Sequence, residues 1–509
     1  MRRAHAVAEI RAAEAALMAR LPAGALMQRA AMGLASVCAR LLGRAGGVYG
    51  APVVVLAGSG DNGGDALYAG ARLARRGAAV SAIAAGTRVH EGGSGALLDA
   101  GGRLLAAGTG AVSAEARAAI EGAELVIDGL LGIGGRGGLR EPAASLAALA
   151  CQSDATVVAA DLPSGVDADT GEVAGAAIRA DVTVTFGTFK PGLLVDPGAE
   201  HAGVTELIDI GLAGYLGPPS VAAPQAGDIA AWLPRPSAES DKYRRGVLGL
   251  VAGSDRYTGA AVLSAGGAVH GGAGMVRLVS APAAAAVVRE RFPEAVITVA
   301  ADGEPAGQLL ERAGQVQAWA AGPGMGTGDD AAARLREVLA SDLPVLVDAD
   351  GLTILAAHRE WLDRGAPTLI TPHAGELARL TGADRADIEA RRLEFARQAA
   401  ADLGATVLLK GSTTVIADPH GVARDRSERD PVLVNPTGTA WLATAGSGDV
   451  LTGLAGALLA QGLPPARAAA AAAFLHGLAA RLAAEGAPIG ASDVLAGLPQ
   501  AFRMAARAG

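Results

Sequence analysis

Through the first 210 residues, short apolar runs rich in β-branched residues (VVVLAG, VSAIAAG, LVIDGLLG, TVVAADLP and VTVTFG) alternate with stretches of helical character. Runs that are apolar throughout and separated by helices predict a parallel sheet covered by helices on both faces. From Gly211 to Arg245 the pattern dissolves into a stretch holding five prolines, which predicts a domain junction. The alternation then resumes with VLGLVAGS, MVRLVS, AWAAGPGMG, PVLVDADG, TLITPHAGE and TVLLKGS, and three Ala-rich helices are expected to close the chain. The expected architecture is two α/β domains, residues 1–215 and 226–509. The opening MRRAHAVAEIRAAEAALMARLPAG reads as an amphipathic helix, because Glu9, Arg11 and Glu14 interrupt the apolar core that a signal peptide requires.

Length supports the division, since 509 residues exceed the roughly 100–200 of one ordinary domain. A net charge of −8 without a long basic run argues against a nucleic-acid surface and for a small-molecule partner. Two cysteines, Cys38 and Cys151, make neither a disulfide framework nor a CxxC metal site, and both read as buried thiols. No uncharged apolar run has the length and flanks of a membrane span, so a cytoplasmic location is expected.

In the first half, VVVLAGSGDNGGDALYAGARLARRG puts a glycine-rich turn between a strand and a helix, where phosphate-binding turns lie, although it does not match GxGxxG. Amides around Asn62, Gly63 and Gly64 can hold a pyrophosphate, and the Asn62 carboxamide oxygen is a hard ligand suited to a cation. For that turn alone, a capped βα turn is the simpler reading. Two later strand ends shift the balance: Asp128 runs into the glycine-rich GIGGRGG, and Asp161 is followed by Ser164 and Asp167. In an open α/β sheet the strand carboxyl ends share one crevice, so Asn62, Asp128, Asp161 and Ser164 are expected to meet. Lys190, in FGTFKPG, is either a phosphate or acid–base partner or a solvated surface lysine.

In the second half, strand ends bring in Gly322, Gly324 and Gly326, then Asp348 and Asp350, then His373 and Glu376, then Lys410 with Ser412, Thr413 and Thr414. The turn Gly446-Ser447-Gly448 places Asp449 at the head of an apolar helix, beside amides and a dipole that favour an anion. Singly, His373 reads equally as a loop histidine, Lys410 as a strand-end lysine in solvent and Asp449 as a helix-stabilising acid. Their joint order points to nucleotide phosphates flanked by Lys410 and the turn, with Asp449 facing the substrate hydroxyl.

The motifs LMQRAAMGLA, GSGDNGGDAL, DGLLGIG, DLPSGVDADTG and FGTFKPG resemble, in order, those of the NAD(P)H-hydrate epimerase domain over residues 1 to 215. The resemblance implies a Rossmann-like three-layer αβα domain, potassium held by Asn62, Asp128 and Ser164, and Asp161 facing the reacting ring. It also implies hydrate contacts from Asp61, Asn62, Gly63, Gly64, Asp65, Gly132, Ile133, Gly134, Gly135, Arg136, Gly137 and Gly138. Asp61 and Ala66 depart from the family's usual Asn and Gly. Over residues 226 to 509, DKYRRGVLGLVAGS, TGAAVLSAGGAVHGGAGMVRLVS, GPGMG, TPHAGE, KGSTT and ATAGSGDVLTG resemble the ADP-dependent NAD(P)H-hydrate dehydratase domain, of the ribokinase-like group. That implies a second αβα domain in which Ala261, Gly324, His373 and Asp449 contact the hydrate. Lys410, Gly411, Ser412, Thr413, Thr414 and Gly448 would hold ADP, the co-substrate, with Mg²⁺ on its phosphates. Thr439 departs from the family pattern. The expected function is repair of hydrated NADH and NADPH, by epimerisation and by dehydration of the S epimer with release of AMP and phosphate. The expected partners are these small molecules, with a homo-oligomer as a further option and neither nucleic acid nor membrane. The alternative is a vitamin or sugar kinase fused to a nucleotide-sensing module.

Overall fold

The computed structural model describes residues 1–108, 112–301, 303–419 and 430–508. It divides into two compact units, Arg3–Val221 and Ala222–Gly509, the latter including Met1–Arg2. The strands in chain order are β1 (Arg2–Ala4), β2 (Pro52–Ala57), β3 (Ala79–Ala84), β4 (Arg103–Ala106), β5 (Leu125–Gly129), β6 (Thr156–Ala160), β7 (Val182–Phe186), β8 (Val204–Ile208) and β9 (Val221–Ala223). They continue with β10 (Val247–Val251), β11 (Met275–Ser280), β12 (Val296–Val299), β13 (Ala318–Ala321), β14 (Val345–Val347), β15 (Thr368–Ile370), β16 (Thr406–Leu409), β17 (Thr414–Ala417) and β18 (Val432–Asn435).

The first unit is a parallel sheet in the order β4-β3-β2-β5-β6-β7-β8. Its strands are apolar on both faces because both are covered. Val53, Val55 and Ile127 join a core with the helices Ala25–Ala45 and Asp61–Arg75, while Val54, Leu56 and Val126 join one with Ala114–Glu121 and Ala143–Gln152. The chain runs outward from β2 to β4 and returns to β5, so the loops leaving β2 and β5 part in opposite directions and open a crevice between them.

The second unit's sheet follows the order β1-β9-β18-β17-β16-β15-β14-β13-β10-β11-β12. It is parallel from β12 to β16 and antiparallel through β17 and β18. Here the switch falls between β10 and β13. The three Ala-rich helices are Ser447–Ala460, Pro465–Ala484 and Ala491–Arg507. Small residues let helices close on one another: a Cβ at Gly453 would stand 1.9 Å from Ser264 O, and one at Gly267 would stand 2.3 Å from Val450 O. The glycine-rich GAAVLSAGGAVHGGAG is therefore a packing surface that presses the helix Thr258–His270 onto the helix carrying Asp449.

The stretch 211–245, expected as a junction, contains the division between the units at Val221 and Ala222 and also holds β9 and the helix Ala226–Trp232. One expectation needs correction. Cys151 is exposed, whereas Cys38 is buried and its thiol is pushed up to about 12 by desolvation. Among the described residues no helix is long and apolar enough to cross a membrane.

Candidate active sites

In the first unit the loops after β2 and β5 touch backbone to backbone. A Cβ at Gly58 would lie 2.0 Å from Leu130 O, and one at Gly63 would lie 2.2 Å from Gly58 O. Only glycine fits either place. Asp128, fully buried at the end of β5, accepts at Oδ1 from Ser164 Oγ (2.7 Å) and Leu130 N (3.1 Å), and at Oδ2 from Ser164 N (2.8 Å). Ser164 Oγ accepts from Leu131 N at 2.8 Å, and Asn62 Nδ2 donates to Leu131 O at 3.0 Å. The three oxygen donors expected at strand ends thus gather around the Leu131 peptide. Burial raises the Asp128 carboxyl to about 6 against these hydrogen bonds, and among the described residues no basic side chain pairs with it.

Asp161, at the end of β6, adopts φ 64°, a left-handed backbone that a non-glycine residue rarely takes. Its Oδ1 accepts from Phe186 N (3.1 Å) and Thr185 Oγ1 (3.3 Å), and it is bound by the Lys190 ammonium. Lys190 is 1% exposed and also donates to Thr185 Oγ1 (2.9 Å) and Phe186 O (3.1 Å). It is a buried counter-ion, which removes the solvated alternative.

A cavity of about 670 Å³ opens above these groups. Asp61, Asn62, Asp65, Gly132, Ile133, Gly134, Gly135 and Asp161 line it, and so do Arg11 and Glu14 from the N-terminal helix Val7–Met18. Gly63 and Gly64 are buried in the helix Asp61–Arg75, off the wall. Arg136, Gly137 and Gly138, in the loop after β5, also lie off it: Arg136 and Gly137 are exposed, and a Cβ at Gly138 would stand 2.6 Å from Gly175 Cα. Asp65 Oδ1 is buried without a hydrogen-bond partner, and desolvation, then Asp161, Asp61 and Glu14, hold this carboxyl well above the usual range.

In the second unit the Lys410 ammonium leaves the end of β16 and lies 2.8 Å from Asp348 Oδ1 and 3.7 Å from Glu376 Oε2. Thr452, one turn beyond Asp449, donates to Asp348 Oδ2 at 2.6 Å. Gly446 is left-handed (φ 87°) and starts the helix Ser447–Ala460, putting Asp449 in its first turn. A Cβ at Gly448 would stand 3.6 Å from Lys410 Nζ and 3.8 Å from Asp348 Oδ2, so the turn and the lysine border one space. Burial, then Asp348, pushes the Asp449 carboxyl up to about 7 against the pull of Lys410. The helix start is supported by buried His476, whose ring lies 2.9 Å from Ser447 O and which desolvation lowers to about 4, leaving it neutral.

His373 caps the helix Ala374–Thr381: its Nδ1 accepts from Gly375 N (3.0 Å) and Glu376 N (3.2 Å), which leaves Nε2 to carry the proton. Its pKa is lowered, chiefly by desolvation. Gly324 is left-handed, and a Cβ there would stand 2.8 Å from Ala260 Cβ. Ala261 is fully buried beneath Gly253, and Thr413 and Thr414 are buried at the start of β17, while Gly411 and Ser412 are exposed. Sequence reasoning missed Thr452, Arg11 and Glu14 as site residues. The i, i+3 spacings Asp449–Thr452 and Arg11–Glu14 are the only signals that point to them.

Each unit therefore carries a crevice at the carboxyl ends of its strands, with glycine-rich turns and an aspartate–lysine pair: the chain is a two-unit α/β enzyme. The family described as YjeF-related protein N-terminus matches residues 23–192, and that described as NAD(P)H-hydrate dehydratase matches residues 248–498. The bifunctional NAD(P)H-hydrate repair enzyme of Mycobacterium leprae is 49% identical over 487 residues, covering 95% of this chain and 94% of the relative. The chain belongs to the bifunctional NAD(P)H-hydrate repair enzymes. A ribokinase-like superfamily protein from Enterococcus faecalis shares the fold of the second unit, with TM-score 0.50, 23% identity and coverage of 57% of this chain and 97% of that one. The ADP/ATP-dependent NAD(P)H-hydrate dehydratase of Bacillus subtilis, co-crystallised with ATP and Mg²⁺, is 31% identical, with TM-score 0.49 over 55% of this chain and 97% of its own.

Proposed function

We propose that the chain restores hydrated NADH and NADPH in two steps, epimerisation by residues 1–215 and ADP-dependent dehydration of the S epimer by residues 226–509. The observation that carries the second step is Asp449, a carboxyl with a pKa of about 7 in the first turn of a helix whose glycine turn borders Lys410. A base with its pKa near the working pH suits removal of a hydroxyl proton. As Asp449 takes that proton, the ring oxygen bonds to the β-phosphorus of ADP and AMP leaves. The ring then loses phosphate from one carbon and a proton from its neighbour, which restores the double bond. Phosphate departs far more readily than hydroxide, and Lys410 with the Gly446–Gly448 amides can neutralise the phosphates. Mg²⁺ in this reading sits on the nucleotide phosphates, where it keeps most of its own waters.

In the first step the hydrate occupies the cavity over Asp161. Asn62 Oδ1, Asp128, Ser164 Oγ and Leu131 O are an all-oxygen set suited to a hard cation, and Asp128 is a buried carboxylate without an ion pair among the described residues. A single carboxylate favours a monovalent ion, potassium, which would supply a fixed positive charge beside the loop after β5. The test is to incubate the purified chain with both epimers and ADP and follow the reduced cofactor's absorbance. Recovery of both epimers is expected, and a stable phosphorylated product with no reduced cofactor would overturn the reading.

A further inference from the structure

The cavity of the first unit is completed by the helix Val7–Met18, which neither glycine-rich loop announces. Ile10, Ala13 and Leu17 bury its inner face, and Val7 N donates to Asp169 Oδ1 at 2.7 Å, so the helix is held at both its face and its start. Arg11 and Glu14, three residues apart, share a face and both line the cavity. Arg11 Nη2 lies 3.1 Å from where a Cβ of Gly134 would stand, which puts its charge at the glycine-rich lip. Facing Glu14 are Asp161 with its Lys190 partner and, on the helix Asp61–Arg75, Asp61 and Asp65. Lys190 is committed to Asp161, and Asp65 Oδ1 is buried with no partner. The cavity is thus lined by several carboxyl groups, one of them bound from behind by the sealed Lys190 ammonium, an arrangement suited to holding and moving protons and poorly suited to phosphate. Desolvation, and then the Asp161 carboxylate, raise the Glu14 pKa, so Glu14 keeps its proton to higher pH than an exposed glutamate.

Resting on the epimerase reading above, we propose that Glu14 is a second proton-transfer group of that reaction, working across the cavity from Asp161. The hydrated ring bears its hydroxyl on the carbon bonded to the ring nitrogen. Inversion there proceeds by opening and closing of that bond. Asp161 takes the hydroxyl proton, the C–O bond becomes a carbonyl, the C–N electron pair returns to nitrogen, and nitrogen receives the proton of Glu14. Rotation about the adjacent C–C bond turns the other carbonyl face to nitrogen, and the reverse transfers close the ring as the opposite epimer. Two carboxyls in different environments, one ion-paired and one pushed toward the protonated form, divide the roles of base and acid.

The test uses the full chain, starting from the pure R epimer without ADP and correcting for the uncatalysed rate. Glu14→Gln is expected to lower kcat for epimerisation by about 10²- to 10⁴-fold with little change in KM, and to remove one limb of the pH–rate profile. Glu14→Asp, which keeps a carboxyl, is expected to recover part of the rate and that limb. ADP-dependent dehydration of the S epimer reports that the chain is folded. Glu14→Gln within about threefold of the parent, inside the noise of such comparisons, overturns the proposal. Equal losses in both variants with an unchanged pH profile also overturn it, because they show a structural role. A parent chain that does not interconvert the epimers at all instead sinks the epimerase reading.

Discussion

Both units set a lysine against a strand-end aspartate, yet the two pairs are exposed to different degrees. Lys190 is sealed, with 1% of its side chain exposed, and every donor it offers is spent inside the first unit on Asp161, Thr185 and Phe186. Lys410 keeps 21% of its side chain exposed and stands beside the Gly446–Gly448 turn. Burial works against its charge, but Asp348 and Glu376 outweigh that and hold it protonated above the usual lysine range. The sealed pair orients a carboxylate at a cavity wall, where the proposed epimerisation needs a proton acceptor. The open pair leaves a cation where, in the proposed dehydration, an incoming phosphate would meet it. On this proposal the same two residue types serve two chemistries, and solvent access to the ammonium decides between them.

Replacing Lys190 with Met in the full chain breaks the first pair and leaves Asp161 buried without a counter-charge. Loss of one partner of a buried pair costs about 3–5 kcal/mol. Denaturant unfolding followed in the first unit is expected to show that loss while ADP-dependent dehydration persists; unchanged stability would mean that Asp161 is solvated or protonated.

Asp449→Asn is expected to lower dehydration by about 10²- to 10⁴-fold and to leave epimerisation intact. In the parent, the base form of Asp449 is lost as pH falls through about 7, so dehydration should decline about tenfold per unit below that point. A rate flat from pH 8 to roughly 5.5 would remove Asp449 as the base.

A methyl group at Gly453 tests the packing that holds the Asp449 helix. The added Cβ would stand 1.9 Å from Ser264 O, and overpacking of this kind costs about 1–3 kcal/mol. Gly453→Ala should lower the melting temperature and the dehydration rate together, with epimerisation as the unaffected control.

The smallest effect concerns Asp128. A cation bound only by the folded state stabilises it by RT ln(1 + [L]/Kd), about 1.4 kcal/mol at tenfold saturation. Melting of the full chain in potassium should exceed that in a bulky organic cation at equal ionic strength, and Asp128→Ala should abolish the difference. Equal melting of the parent in both salts would return Asp128 to loop capping.

The acids Asp128 and Asp161 are legible in the sequence because each closes an apolar run, and Asp449 because it follows a glycine turn at the head of an apolar helix. The strand β8 is not: it is half-exposed, and Thr205 and Glu206 interrupt its apolar residues. β17 and β18 reverse direction, and no helix separates β17 from β16 to mark it. The stretch 211–245 hides β9 among prolines whose backbone demands dominate the local reading.

Local chemistry written in the chain determined two α/β units, the glycine turns that bring amides together, and the aspartates at the strand ends, because these depend on period, chain flexibility and neighbours in sequence. Tertiary structure alone decided which charges face one another. Lys190 lies 29 positions from Asp161, Thr452 lies 104 from Asp348, and Glu14 reaches its cavity from a helix that precedes the sheet. Whether a lysine is a sealed counter-ion or an open phosphate partner depends on what covers it, and desolvation is set by the packed neighbours, which no single stretch of sequence contains.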